Sequence, residues 1–189
     1  MPDEVFDPKT TALVLIDLER GVVGRDLAPR SGAEVVAAGA RLASTFRAAG
    51  GTVVYVHVLL DEILPLPVDK PRAGGGTPPP NASELVPEAG YQAGDLLVTK
   101  RQWGAFYGTD LDQQLRRRGI DTIVIGGIAT NMGVESTARA AFDQGYAVVF
   151  VEDAMATMTE ELHRFAIENL FPIIGRVRTV EEVVGFLGR

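Results

Sequence analysis

A chain of 189 residues with 46% apolar and 23% charged residues has the length and composition of one domain around one sizeable core. With 25 acidic and 18 basic residues the formal charge is −7, which leaves no electrostatic footprint for nucleic acid. There is no cysteine, which excludes disulfides, thiolate nucleophiles and sulfur-ligated metals together.

The elements alternate along the chain. Thr11 to Leu18, TALVLIDL, is a nearly continuous apolar run and predicts a strand buried on both faces. It ends in Asp17, Glu19 and Arg20, with Gly21 and Gly24 in a following loop. Ser31 and Glu34 have capping-box spacing and open a helix that Gly50-Gly51 stops. Thr52 to Leu60 is a second buried strand. Residues 61–95 carry Pro65, Pro67, Pro71 and Pro78–Pro80 with Gly74–Gly76, an irregular insertion that is either a functional lid or a surface loop. Leu96 to Thr99 is a third strand ending at Lys100, followed by a helix from Thr109 to Arg118. Thr122 to Ile128 is the fourth strand, Asn131 to Gln144 a helix, and Ala147 to Val151 the fifth strand. Thr157/Glu160 and Thr179/Glu182 repeat the capping spacing before two further helices, with a short strand at Gly175 to Val177 between them. This order predicts an α/β fold: one domain over 1–189, three layers, with a doubly wound, mostly parallel six-stranded sheet between helices on both faces. The apolar runs are too short and interrupted to span a membrane, and Met1-Pro2-Asp3-Glu4 lacks the basic start of a signal peptide, so a cytoplasmic protein is expected.

Ligands of open parallel sheets bind beyond the carboxyl ends of the strands. Asp17, Lys100, the Ile128-Ala129-Thr130-Asn131 turn and Asp153 all fall at such ends. A carboxylate beside an ammonium at a dry strand end can move a proton and hold developing negative charge, although either residue could equally cap a loop or sit in a surface ion pair. The glycines of GGIATNMGVEST let main chain approach a ligand at a helix start, but they do not have dinucleotide spacing. Trp103, Phe106 and Tyr107 follow Lys100 as either an aromatic wall over a substrate or a small core beneath a loop. Of the two histidines, His57 reads as a satisfied imidazole in a strand, and His163, beside Glu160 and Glu161, as a solvent-facing one; no metal site or cofactor is predicted.

Three segments, LVLIDLERG around Asp17, VTKRQWGAFYGTDLDQQLRRRGI from Val98 and GGIATNMGVESTARAAFDQGY from Gly126, together resemble the isochorismatase-like, or cysteine hydrolase, superfamily over almost the whole chain. The resemblance implies a dimer or tetramer and a site of Asp, Lys and Cys. Asp17 matches the acid-base aspartate and Lys100 the lysine, while Gly133 stands in the place of the nucleophilic cysteine. It also implies a non-proline cis peptide at Ile128-Ala129. Thr130-Asn131 and Glu135-Ser136-Thr137 resemble a group of bacterial members that also carry glycine here. Covalent amidase chemistry is therefore not expected. True isochorismatases share the glycine and offer a precedent for acid-base chemistry without a nucleophile. The leading expectation is a hydrolase of a small metabolite. Asp17 and Lys100 are its catalytic pair, with Trp103, Phe106, Ile128, Ala129, Thr130 and Asn131 around the substrate. The alternative is a non-catalytic small-molecule binding or assembly protein on the same scaffold.

Overall fold

The computed structural model describes residues 6–70 and 77–187. Residues 71–76, with Pro71 and Gly74–Gly76 of the predicted insertion, lie outside them. Strand β1 (Thr11–Ile16) is buried at every position. Its side chains alternate between two cores, with Leu13 and Leu15 in one and Ala12, Val14 and Ile16 in the other. Only an element covered on both sides can keep such a run dry, and β1 therefore lies inside the sheet. The observed order is β3-β2-β1-β4-β5-β6, with β2 (Thr52–Val58), β3 (Leu96–Lys100), β4 (Thr122–Ile128), β5 (Ala147–Ala156) and β6 (Arg176–Arg178). Every pairing is parallel.

One face is covered by α2 (Gly32–Ala48) and α7 (Val180–Leu187), through Val35, Leu42 and Phe46 and through Val180, Val183 and Leu187. The other is covered by α3 (Leu111–Arg116), α4 (Glu135–Asp143) and the helical stretch α5 (Glu160–Phe165) to α6 (Phe171–Ile174). Phe150 of β5 and Phe171 of α6 stack at 3.8 Å between centroids, 8° from parallel. No helix among the described residues is long and apolar enough to cross a membrane.

The chain leaves β1 into a short helix α1 (Arg20–Val23), where a loop is predicted. The predicted capping box at Ser31 and Glu34 forms in both directions. At Thr157 the prediction is corrected. Its amide and carbonyl exchange hydrogen bonds with Ala28, which prolongs β5 to Ala156, so α5 starts later with Thr159 as its cap. Asp153, a candidate site residue by sequence, instead accepts a hydrogen bond from the Val180 amide (2.7 Å) at the start of α7.

The predicted insertion folds back onto the sheet in its second half. Residues 82–86 run antiparallel to the exit of β1, through Arg20 N to Glu84 O, Gly21 N to Ala82 O and Val86 N to Leu18 O. A helical turn at Pro87–Ala89 follows, and the Tyr55 hydroxyl donates to the Ala89 carbonyl at 2.7 Å.

Asp153→Ala is expected to lower unfolding stability by about 1 kcal/mol, the usual loss for a helix-start acceptor, with the Asp17–Lys100 corner unaltered. Urea denaturation measures the first and the amide spectrum of the strand ends the second.

Candidate active site

Sheet order reverses at β1, whose neighbours β2 and β4 lead the chain outward in opposite directions. The crevice at the carboxyl ends of β1 and β4 is the switch point where such sheets bind ligands. Three local features build it. Asp17 ends β1 in the left-handed region (φ 54°), a conformation that Asp tolerates better than most residues, while its amide still donates to Val56 O. Gly127 of β4 has φ 119°, and a Cβ there would stand 2.1 Å from the Ile16 carbonyl oxygen. Only glycine lets β4 pass so close to β1 at this level. The peptide Ile128–Ala129 is cis, as the resemblance implies.

Lys100 stands at the end of β3, two strands away from β1, or ~10 Å along the hydrogen-bonding direction. Its long side chain crosses the end of β2. Nζ donates to Asp17 Oδ2 at 2.8 Å and to the Trp103 carbonyl at 2.6 Å. The Lys100 side chain is 1% exposed and that of Asp17 10%, so solvent reaches the pair from the aspartate side. Breaking a buried pair by removing one partner costs about 3–5 kcal/mol, because the other charge is left uncompensated.

The turn after β4 closes over this pair. Thr130–Val134 forms a π turn, a distortion frequent at functional sites, before α4 begins. Gly133 is buried within it. A Cβ on Gly133 would lie 3.1 Å from Asp17 Oδ2 and 3.2 Å from Lys100 Nζ. With Ile16 Cγ2 at 3.0 Å as well, all three distances are closer than ordinary contact, so Gly133 brings bare main chain directly against the pair. The buried Thr137 hydroxyl donates to the Gly133 carbonyl (2.7 Å) and accepts from the Ala105 amide (3.1 Å), which fastens the segment after Lys100 to the turn.

Of the other sequence candidates, Ile128, Ala129, Thr130 and Asn131 lie in the turn. Asn131 Oδ1 accepts from the Thr157 hydroxyl at 2.6 Å. Trp103 contributes its carbonyl to Lys100, with its residue surface 52% exposed. Phe106 is buried in the core beside Tyr146, 5.7 Å between ring centroids. Arg101 pairs with Glu62 at the surface. His57 donates from Nδ1 to the Ser83 carbonyl and accepts at Nε2 from the Thr99 hydroxyl, both at 2.8 Å. Among the described residues no three His, Cys, Asp or Glu side chains gather in a way that could hold a metal.

His163 requires a correction. It is buried, not solvent-facing, and its Nδ1 is hydrogen-bonded to the Thr130 hydroxyl at 2.9 Å. Glu160 lies one turn before His163 on α5 and marks that side as polar, but the imidazole itself reaches under the turn to Thr130. Glu19 is missed by the sequence reading. It is fully buried at the exit of β1, where an acid after a strand reads as solvated.

Burial, reinforced by the Arg30 guanidinium and partly opposed by Glu160, lowers His163 from 6.5 to about 4. Between these values the unfolded chain binds the proton and the folded one does not, so this group makes stability fall as pH drops from 6.5 to about 4. His163→Gln is expected to flatten that part of the stability profile, as measured by urea denaturation at a series of pH values. Lys100→Met is expected to cost about 3 kcal/mol or more at neutral pH, read in the same assay.

Residues 11–182 match the Isochorismatase domain family. The chain is 50% identical over 181 residues to YwoC, an uncharacterized isochorismatase family protein of Bacillus subtilis (strain 168), with 94% of each chain covered. It is 31% identical over 215 residues to the ureidoacrylate amidohydrolase RutB of Methylobacterium radiotolerans, covering 97% of this chain and 81% of that one. The solved structure of an isochorismatase family protein from Burkholderia thailandensis superposes with a TM-score of 0.92 at 45% identity, over 98% of this chain and 99% of that one. On the family match, the sequence identity and the shared fold, the chain belongs to the isochorismatase family.

Proposed function

We propose that the protein hydrolyses a small metabolite by acid-base chemistry at Asp17 and Lys100, without a covalent intermediate. The observation that carries this reading is the buried 2.8 Å contact between the two side chains with the bare Cα of Gly133 facing them. An ammonium this close favours the charged carboxylate, so Asp17 is set up as a base. It takes a proton from a water molecule as the water oxygen bonds to the electrophilic carbon of the substrate. Lys100 holds the negative charge that develops on the substrate oxygen. The same aspartate then returns the proton to the leaving group as its bond breaks. The reacting carbon and the water approach from the solvent-facing side of Asp17, with the main chain of Gly133 bordering them. Thr130 and Asn131 in the turn, and Trp103 on the far side of Lys100, border the substrate.

The relationship to a ureidoacrylate amidohydrolase supports hydrolysis as the reaction class. A thiolate route is closed to this chain, which has no cysteine. The competing reading, a non-catalytic binding or assembly protein, draws on that same missing nucleophile and on the near-complete shelter of Lys100.

A metabolite panel of vinyl ethers, amides and ureido compounds, followed by mass spectrometry of products, tests the proposal. Turnover is expected for at least one compound, and Asp17→Asn is expected to reduce kcat by ~10²–10⁴ with the fold retained by circular dichroism. Full activity in that variant would remove the assigned role. Gly133→Ala, whose methyl would press on both members of the pair, is expected to reduce kcat/KM by at least about tenfold. A panel with no turnover at all would favour the binding protein.

A further inference from the structure

Glu19 is a third ionisable group in the same corner, and hydrolysis at the Asp17–Lys100 pair leaves it without a part. It is 0% exposed. Oε1 accepts a hydrogen bond from the Val58 amide (3.4 Å), while Oε2 has no hydrogen-bond partner among the described residues. Val58 is the residue opposite Lys100 in the β2–β3 ladder. The carboxyl therefore sits at the end of β2, one strand from the base of the catalytic lysine. Residues 82–86 cover it from one side, with Leu85 bridged to Glu19 itself.

The charged or titratable groups on the elements packed around it are Asp17 on its own strand exit, Lys100 on β3, His57 on β2 and the exposed Arg20–Glu84 pair across α1 and the covering strand. A buried carboxylate with one oxygen unsatisfied is costly, whereas a carboxylic acid carries an O–H that a ligand can satisfy. Burial, reinforced by the Asp17 carboxylate and opposed by Lys100, pushes Glu19 well above its ordinary 4.5.

We propose that Glu19 is a hydrogen-bond donor of the active site and that, with the remaining Nζ–H of Lys100, it receives an uncharged carbonyl oxygen of the substrate. This rests on the reading that substrate reacts at the Asp17–Lys100 pair. Lys100 uses two of its three N–H bonds on Asp17 and Trp103, leaving one for a ligand. Charge balance selects the ligand. Asp17 and Lys100 cancel and neutral Glu19 adds nothing, so a carboxylate seated here would bring an uncompensated charge into a dry site, while an amide, urea or ketone oxygen would not. A carboxylic acid kept protonated by its surroundings at neutral pH is a competent donor to a substrate oxygen, because the proton it presents is not lost to solvent.

Acetamide and acetate are nearly isosteric and differ in charge. The sole tryptophan, Trp103, supplies the carbonyl that Lys100 holds, so its fluorescence reports on ligand entry. Acetamide is expected to give a saturable change with the native protein and with Glu19→Gln, whose amide keeps a donor. Binding is expected to weaken at least about tenfold in Glu19→Leu, and acetate is expected to bind more weakly than acetamide. Equal acetamide binding by Glu19→Leu, acetate binding as tight as acetamide, or no saturable acetamide signal from the native protein would overturn the proposal.

A second measurement does not depend on the leucine variant folding. A folded pKa above 4.5 means that the native chain loses stability relative to Glu19→Gln as pH rises beyond 4.5. A constant difference between the two across that range would also overturn it. Neither readout requires turnover. Acetamide binding with no reaction of any panel compound would sink the hydrolase reading alone, whereas full turnover in Glu19→Leu would sink the role of Glu19 alone.

Discussion

A lysine and an aspartate in contact at 2.8 Å, away from water, make demands on everything around them. Two charges taken out of solvent each lose several kcal/mol of hydration, and their attraction offsets this only where the geometry is held and the remaining polar atoms find partners. The surrounding chain meets these conditions with backbone. Asp17 is fixed by its amide bond to β2, and Lys100 by the Trp103 carbonyl as well as by the aspartate. The pair spans three adjacent strands, so its geometry depends on the pairing of β1, β2 and β3. Its cost and its chemistry are thus both consequences of the sheet.

The second constraint is steric. At Gly127 the fourth strand lies against the end of the first so tightly that no side chain fits, and the register between β4 and β5 shifts at the same level. This close approach carries the following turn inward until Gly133 meets the ion pair. Thr130, inside the turn, is fastened from below by a buried neutral imidazole, and Asn131 by the Thr157 hydroxyl. The site is thus shaped by main chain and small side chains more than by large ones. That is consistent with Phe106 being packed into the core and the Trp103 ring lying half outside.

The architecture is legible in the sequence because each strand is a short apolar run bounded by glycine, proline or charge, and because Ser31/Glu34 and Thr179/Glu182 mark helix starts that form. Asp17 and Lys100 are legible because both close strands whose carboxyl ends share one edge. Other residues depend on partners that are distant in sequence. Thr157 has the spacing of a cap but is taken by Ala28. His163 looks solvated until the turn at Thr130 is placed over it. Glu19 looks like an ordinary surface acid until residues 82–86 cover it, and a stretch dense in proline gives no hint of that packing. Asp153 reads as a site residue because it follows an apolar run, yet the lengthened β5 turns it toward α7.

The Thr137 hydroxyl bridges the Gly133 carbonyl and the Ala105 amide, and so joins two stretches of chain that follow strands on either side of β1. One oxygen atom mechanically couples the segment bearing Trp103 to the turn over the ion pair. Displacing the Trp103 segment therefore pulls on the turn over Asp17 and Lys100. A buried threonine on α4 thereby ties together the two stretches of chain that flank the ion pair, so neither can move without the other.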